Sequence, residues 1–301
     1  MAVKSRISRS FFYLHVLRFF MLSYRHIYHA GNHADILKHI VVSEICHHLI
    51  KKEGPFFYLD THAGIGQYSL DSQQAQKNKE FNSGLSQLLP IKNPPDSIAR
   101  FLNIVKKMNA TGSINVYPGS PKIADAYLRP YDKMHLCELH PNDYPILASL
   151  FSKKRHVHVE RGDGFAAVKA QLPTSQKRGL ILMDPPYEVK KDYQTVVQAL
   201  EVGYKRFSQG IYAIWFPILA RKQANDLANS VQRTKIRNVL LLELSIRDDD
   251  ADKGMNGSGM IIVNPPWTLV DTAKDFLPIL TNLLGEKEKQ AHFQIRWITP
   301  E

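Results

Sequence analysis

The sequence predicts an α/β protein built on a seven-stranded, mostly parallel sheet with helices packed on it. Three observations carry this expectation. Short apolar runs alternate with segments of helical periodicity along the 301-residue chain, the rhythm by which parallel strands are connected. The first apolar run, 56–60 (FFYLD), leads into a glycine-containing turn and a further helical segment. With 44% hydrophobic and 22% charged residues the chain can bury a large core, which excludes a disordered or collagen-like protein.

Residues 1–20 carry four basic residues, no acid and an apolar run broken by His15 and Arg18. They read as a dispensable extension rather than a signal peptide or a membrane span, with the folded domain over 21–301. From Asn32, the residues Ile36, Leu37, Ile40, Val41 and Leu49 recur at helical spacing, and Lys51 and Lys52 stand where the helix dipole favours cations. Gly54-Pro55 ends that helix, FFYLD is a buried strand and THAGIG (61–66) is the turn after it. Six later runs complete the strands: 134–138 (MHLCE), 157–164 (VHVERGDG), 179–184 (GLILMD), 211–216 (IYAIWF), 239–244 (VLLLEL) and 259–264 (GMIIVN). The segment 193–207 puts Tyr193, Val196, Val197, Leu200, Tyr204 and Phe207 on one face, as a crossover helix requires. No stretch reaches the ~20 consecutive apolar residues of a membrane span. Cys46 and Cys137, the two cysteines, cannot build a disulfide framework, so a cytoplasmic protein with buried thiols is expected.

In a dinucleotide fold the acid that binds ribose hydroxyls follows the glycine turn by ~20 residues. Glu138, at the end of MHLCE, follows Gly66 by 72 residues. The excess of about 50 residues over that spacing falls on 70–116, where 83–89 and 96–108 are helix-like, so an inserted helical subdomain is expected there.

Thirty-nine basic residues against 28 acids give a net charge of +11. The excess is spread over Lys4/Arg6/Arg9, Lys106/Lys107, Lys153/Lys154/Arg155, Arg221/Lys222 and Arg233/Lys235/Arg237. Such clusters either join into one face that attracts a nucleic acid or remain solvated helix surfaces, and the sequence leaves both readings open. His26, His29, His33 and His39 lie close together, with His29 and His33 at helical metal-ligand spacing. No acid or thiolate completes that set, so no metal is expected. A basic and aromatic tail folding over ligand and RNA accounts for the same residues, with Tyr24 and Tyr28 stacking and Arg25 meeting phosphate.

The sharpest signal is Asp184-Pro185-Pro186-Tyr187, directly after the strand GLILM. At the end of a parallel strand these residues face the ligand crevice. A carboxylate and a proline carbonyl together can hold an exocyclic amine, two prolines stiffen the loop, and Tyr187 offers a face for a planar base. The plain alternative is a proline-rich strand exit. In the turn Gly64-x-Gly66, Ser69 stands where the dinucleotide fingerprint wants a third small residue, which weakens a nicotinamide-cofactor reading. Glycine at Gly64 would still let a ligand approach the backbone closely. A second such run, Asn264-Pro265-Pro266-Trp267, follows what reads as an antiparallel last strand and is expected to face away from the site.

With its Asp-Pro-Pro-Tyr motif the chain resembles the amino methyltransferases that use S-adenosylmethionine. More closely it resembles the RlmJ family of 23S ribosomal RNA adenine-N6 methyltransferases over residues 21–301. That likeness rests on MLSYRHIYHAGNHADILKH, YLDTHAGIGQY, YPGSP, ELHPNDYP, DGF, GLILMDPPYE, GYKRF and GMIIVNPPW; residues 1–20 have no counterpart in the family pattern. The resemblance implies a Rossmann-like methyltransferase fold with an inserted helical subdomain, S-adenosylmethionine as cofactor and 23S rRNA as partner, with no obligate protein partner and no membrane. It implies methylation of adenine N6 at nucleotide position 2030. It implies that His39, His62, Ser120, Glu138, Asp163 and Gly164 line the cofactor site, that Asp184 serves both cofactor and target amine, and that Tyr24 meets the RNA. The catalytic set is then Asp184, Pro185 and Tyr187. Competing readings are a DNA amino methyltransferase, disfavoured because no DNA-recognition domain is evident after position 270, a protein-glutamine methyltransferase, and a non-catalytic RNA-binding protein.

Overall fold

The computed structural model describes residues 26–110, 112–249, 254–286 and 289–301; Tyr24, Arg25 and the extension 1–20 lie outside the described residues. Helix α1 (His33–Ile50) precedes β1 (Phe57–Asp60) and β2 (Gln67–Ser69). Helices α2 (Gln73–Asn78), α3 (Leu85–Leu88) and α4 (Asp96–Met108) lie between β2 and β3 (Val116–Pro118), and α5 (Ser120–Asp125) follows. Then come β4 (Lys133–Cys137), α6 (Tyr144–Phe151), β5 (Val157–Glu160), α7 (Gly164–Gln171), β6 (Gly179–Met183), α8 (Lys191–Arg206) and β7 (Ile211–Ile218). After these stand α9 (Arg221–Arg233), β8 (Val239–Ser245), β9 (Gly257–Val263), α10 (Leu269–Leu284) and β10 (His292–Thr299).

The main sheet has the order β5-β4-β1-β6-β7-β9-β8-β10. Its first five strands are mutually parallel, β9 runs antiparallel between β7 and β8, and β10 is antiparallel to β8. The sheet is therefore eight-stranded, not seven-stranded. The additional strand, β10, lies at the sheet edge with most of its residues partly or fully exposed. A strand solvated in this way alternates polar and apolar residues (His292, Gln294 and Arg296 among Phe293, Ile295 and Trp297) and lacks the continuous apolar run that marks a buried strand.

Strand side chains alternate between two cores, as the period of two demands. On one face Tyr58, Leu180, Leu182, Leu240 and Leu242 pack with α1, α4 and α10. On the other, Leu59, Ile181, Met183, Leu241 and Ile261 pack with α7, α8 and α9. Helix α1 starts where the Asn32 side chain accepts from the Ala34 and Asp35 N–H groups, each at 3.0 Å. It is buried almost all round because it is covered by α4 and α5 while lying against β9. Helix α4, in the segment 70–116, shares a core with the sheet: Ile98, Phe101, Leu102 and Val105 join the cluster that holds Ile36 and Ile40 of α1. A short antiparallel pair, β2 with β3, closes the ends of this segment, with Tyr68 opposite Tyr117.

Two features position the site. The chain steps from β1 outward to β4 and β5, then returns to β6 on the other side of β1, which makes the gap between β1 and β6 a topological switch point where ligands bind. Strand β9 begins at this end, Gly257 pairing with Ile218, and finishes at the opposite one. There Asn264 Nδ2 donates to the Ser208 and Gly210 carbonyls, each at 2.8 Å. The Asn264-Pro265-Pro266-Trp267 run therefore faces away from the switch point, as its topology predicts.

Candidate active site

Four of the five parallel strands lead into an acidic residue at this end of the sheet. Strand β1 ends in Asp60, Glu138 follows β4, Asp163 follows β5 and Asp184 follows β6. Around them lies a cavity of about 1030 Å³, lined by His39, His62, Gly64, Ser120, Glu138, Asp163, Gly164, Asp184, Pro185 and Tyr187 together. All the site residues expected from the sequence within the described residues thus share one cavity, and Tyr24 lies outside them.

On the glycine-turn side, Gly64 has φ +60°, and a Cβ there would overlap the Tyr68 hydroxyl. Glycine is the residue that takes this conformation without strain and leaves the backbone approachable. The Gly64 N–H donates to Glu138 Oε2 at 2.8 Å, and the His140 N–H donates to Oε1 at 2.6 Å. Burial pushes the Glu138 carboxyl up to about 7, against the pull of these two N–H groups, and Asp143 adds to the rise. Asp60 accepts from the Ser120 hydroxyl at 2.7 Å and the Tyr58 hydroxyl at 2.8 Å, while burial raises it to about 6. Asp163 caps α7 by accepting from the Phe165 N–H at 2.9 Å. Helix α7 starts close against the chain leaving β1: a Cβ on Gly164 would overlap the Thr61 carbonyl.

Two histidines of the cavity are neutral. Burial lowers His62 to about 4, and its Nδ1 lies 2.8 Å from the Thr61 hydroxyl with Phe165 edge-on to the ring. Burial likewise lowers His39 to about 3, and its Nδ1 lies 2.7 Å from the Tyr117 hydroxyl. His26 and His29 are engaged by carboxylates: His26 Nε2 lies 2.9 Å from Asp35 Oδ2, and His29 Nδ1 lies 2.8 Å from Glu80 Oε1.

Across the cavity, Tyr187 has φ +53°, a strained value for a non-glycine residue, and its hydroxyl donates to the Trp215 carbonyl at 2.7 Å. Its ring packs at 4.5 Å from that of Tyr193 and 6.1 Å from that of Trp215. Asp184 receives the Lys38 ammonium at 2.7 Å, and the same ammonium stands 2.9 Å from Asp35 Oδ1. Burial alone would depress the Lys38 ammonium, but Asp184 and Asp35 outweigh it and hold the group charged. Burial likewise acts to raise Asp35, yet His26, Lys38 and His39 hold its carboxyl well below the usual range. The result is a buried Asp-Lys-Asp bridge linking the start of α1 to the Asp-Pro-Pro-Tyr loop.

Sequence reasoning missed Lys38, Asp35 and Asp60. A signal was present: Asp35 and Lys38 are charges on a helix whose neighbours Ile36, Leu37, Ile40 and Val41 are all apolar. Of the basic clusters, Arg221 is taken up by Glu243 at 2.7 Å and Asp249 at 2.6 Å, and Lys154 pairs with Asp125. Those two side chains are satisfied within the protein rather than free for a polyanion. No helix among the described residues is long and apolar enough to cross a membrane.

Comparison with known proteins gives this geometry a context. The family described as "Ribosomal RNA large subunit methyltransferase D, RlmJ" matches residues 53–299. A Haemophilus influenzae protein named "Ribosomal RNA large subunit methyltransferase J" is 48% identical over 282 residues, 93% of this chain and 100% of that one. Its Escherichia coli namesake is 46% identical over 281 residues, with the same coverage of both chains. Among solved structures, a Legionella pneumophila protein superposes with a TM-score of 0.82 at 32% identity, covering 89% of this chain and 98% of its own.

Proposed function

The chain belongs to the RlmJ family of ribosomal RNA large subunit methyltransferases, and from this premise we propose that it methylates the N6 amine of an adenine in 23S rRNA, using S-adenosylmethionine. The observation that carries this reading is one cavity in which the Asp184-Pro185-Pro186-Tyr187 loop and the Gly64, Glu138 and Asp163 group stand together.

The donor set fits an S-adenosyl cofactor. Each oxygen of Glu138 accepts one backbone N–H and keeps a further lone pair for a ribose hydroxyl. Asp163 offers an acceptor for the cofactor's adenine amine, with Gly164 beside it, and the bare backbone at Gly64 leaves room for close approach. His39, His62 and Ser120 complete the lining in our assignment, and the neutral state of both histidines avoids repelling a cationic sulfonium. When bound, S-adenosylmethionine supplies an electrophilic methyl group on sulfur.

An adenine N6 is a poor nucleophile because its lone pair is delocalised into the ring. In our reading Asp184 and the Pro185 carbonyl accept its two N–H bonds, localise that lone pair and align it for in-line attack, so that catalysis comes from orientation and electrostatics. Lys38 holds the Asp184 carboxylate in place for this task. Asp184 is also the acceptor we assign to the proton released. Tyr187, fixed through its hydroxyl, provides an aromatic face beside the loop. An adenine inside a helix cannot reach such a cavity, so the target is unpaired or flipped.

The test incubates the protein and its Asp184→Ala variant with S-adenosylmethionine and unmodified 23S rRNA, then measures N6-methyladenosine by mass spectrometry after digestion. Product from the wild type alone supports the substrate and the role of Asp184. No product despite measured cofactor binding moves the assignment to another nucleic acid, DNA first.

A further inference from the structure

On the β4–β5 edge of the sheet, four donor-bearing side chains share one face. His135 and Cys137 alternate on β4, and their parallel register partners are His158 and Glu160 on β5. His135 Nε2 lies 2.8 Å from Glu160 Oε2, and the ligating atoms of His135, Cys137 and Glu160 all lie within 4.8 Å of one another. The His158 ring stands 4.8 Å from that of His135, on the exposed side. His135 and Cys137 are buried, whereas the Glu160 side chain is 42% exposed, so the cluster opens to solvent at one corner.

We propose that His135, Cys137 and Glu160 form a binding site for one divalent transition-metal ion of the zinc class, with its fourth position facing solvent beside His158. The donor set is an imidazole, a thiol and a carboxylate, the mixture such an ion takes from proteins. Zinc bonds of about 2.0–2.2 Å to nitrogen and oxygen and about 2.3 Å to sulfur set ligand atoms about 3.3–3.6 Å apart. The metal takes the place of the His135–Glu160 hydrogen bond, whose two atoms move slightly apart while the sulfur closes in, which rotation of a half-exposed glutamate side chain can accommodate. On binding, the Cys137 thiol gives its proton to solvent as the sulfur–metal bond forms. His135 Nε2, the donor in the hydrogen bond to Glu160, loses its proton as the ring changes to the Nδ1–H tautomer, which frees the Nε2 lone pair for the metal, and Glu160 binds through a carboxylate oxygen.

The site shares no residue with the methyl-transfer set, although Cys137 precedes Glu138 in the chain and the Glu138 N–H donates to the Glu160 carbonyl at 3.1 Å. Its test therefore does not depend on the methyltransferase reading. The full-length protein, stripped with chelator and kept reduced, is titrated with cobalt(II), whose absorption spectrum reports its ligands. The expected result is one equivalent bound with a thiolate-to-cobalt charge-transfer band, displaced by zinc. Cys137→Ser removes that band and Cys46→Ser keeps it. Losing even an outer-shell partner weakens metal sites about 10–100-fold, so Glu160→Gln and His135→Asn each weaken cobalt binding at least about tenfold. Glu160 is half-exposed, so its variant keeps the melting temperature of the metal-free protein and stands in should Cys137→Ser fail to fold. Absence of the charge-transfer band in the wild type overturns the site, as does a band that persists in Cys137→Ser or cobalt affinity unchanged in Glu160→Gln.

Discussion

The Lys38 ammonium is bound to Asp184 at 2.7 Å, and the two side chains are only 5% and 13% exposed. The contact ties the second turn of α1 to a loop 146 residues away. Removing one partner of a buried pair leaves the other charge uncompensated, at a cost of about 3–5 kcal/mol. Lys38→Met is therefore expected to unfold at lower temperature. In the protein that remains folded, kcat should fall about 10²–10³-fold, the loss typical of one preorganised electrostatic partner, while affinity for cofactor stays near the wild-type value. Single-turnover methylation at saturating cofactor checks this. A wild-type kcat in folded Lys38→Met would reduce the bridge to a structural role.

Glu138 makes cofactor binding depend on pH. Its carboxyl, at about 7 in the ligand-free protein against an ordinary 4.5, holds a proton that the unfolded chain has already lost in that window. The proton-linked stability is full at low pH and declines as pH rises between those two values. Ribose hydroxyls donate to the ionised form, so binding releases the proton. Affinity for S-adenosylhomocysteine is expected to rise roughly tenfold between about pH 6 and pH 8. Calorimetry in buffers of different ionisation enthalpy measures the proton directly. In Glu138→Gln the slope should flatten; an unchanged slope would assign the linkage elsewhere.

What was legible in the sequence follows from how each residue is buried. Strands covered on both faces, such as Gly179–Met183 and Val239–Ser245 with its run Val239 to Leu242, carry continuous apolar stretches and stand out. Strand β10 is solvated along most of its length and carries no such run. The Asp-Pro-Pro-Tyr loop was visible because its chemistry is local to four consecutive residues. Its cation was not: the charge on Lys38 is neutralised by Asp184, a pairing only the folded chain creates, and in sequence Lys38 is one lysine in an apolar helix. The same holds at the sheet edge, where Glu160 meets His135 through strand register rather than through a ligand spacing along the chain.

Tyr187 separates packing from recognition. Its hydroxyl is committed to the Trp215 carbonyl at 2.7 Å, so Tyr187→Phe deletes one hydrogen bond worth about 1 kcal/mol and keeps the ring. Methyl transfer by this variant should stay near wild type while the melting temperature drops modestly. Tyr187→Ala removes the face itself, and loss of one aromatic–base stack costs about 1–3 kcal/mol, which should appear in kcat/KM for RNA and leave cofactor affinity alone. Equal kinetics in the two variants would show that the ring does not meet the base.

Gly164 tests how tightly the cofactor side is built. It is the first residue of α7, next to the capping Asp163, and an added Cβ there would run into the carbonyl of Thr61, backbone against backbone. Neither side can turn a rotamer to escape, so Gly164→Ala must push α7 away from the exit of β1, at a cost of about 1–3 kcal/mol or more for overpacking. Asp163 moves with the helix start, so the variant should lose cofactor affinity as well as stability. Gly54→Ala is the control, since the nearest atom to its Cβ is the Arg178 guanidinium at 3.8 Å. Thermal unfolding with and without S-adenosylhomocysteine reads both effects. The expected result is a lower melting point for Gly164→Ala with a smaller ligand-induced rise, and wild-type behaviour for Gly54→Ala. A Gly164→Ala protein that keeps the full ligand-induced rise would place the cofactor away from α7.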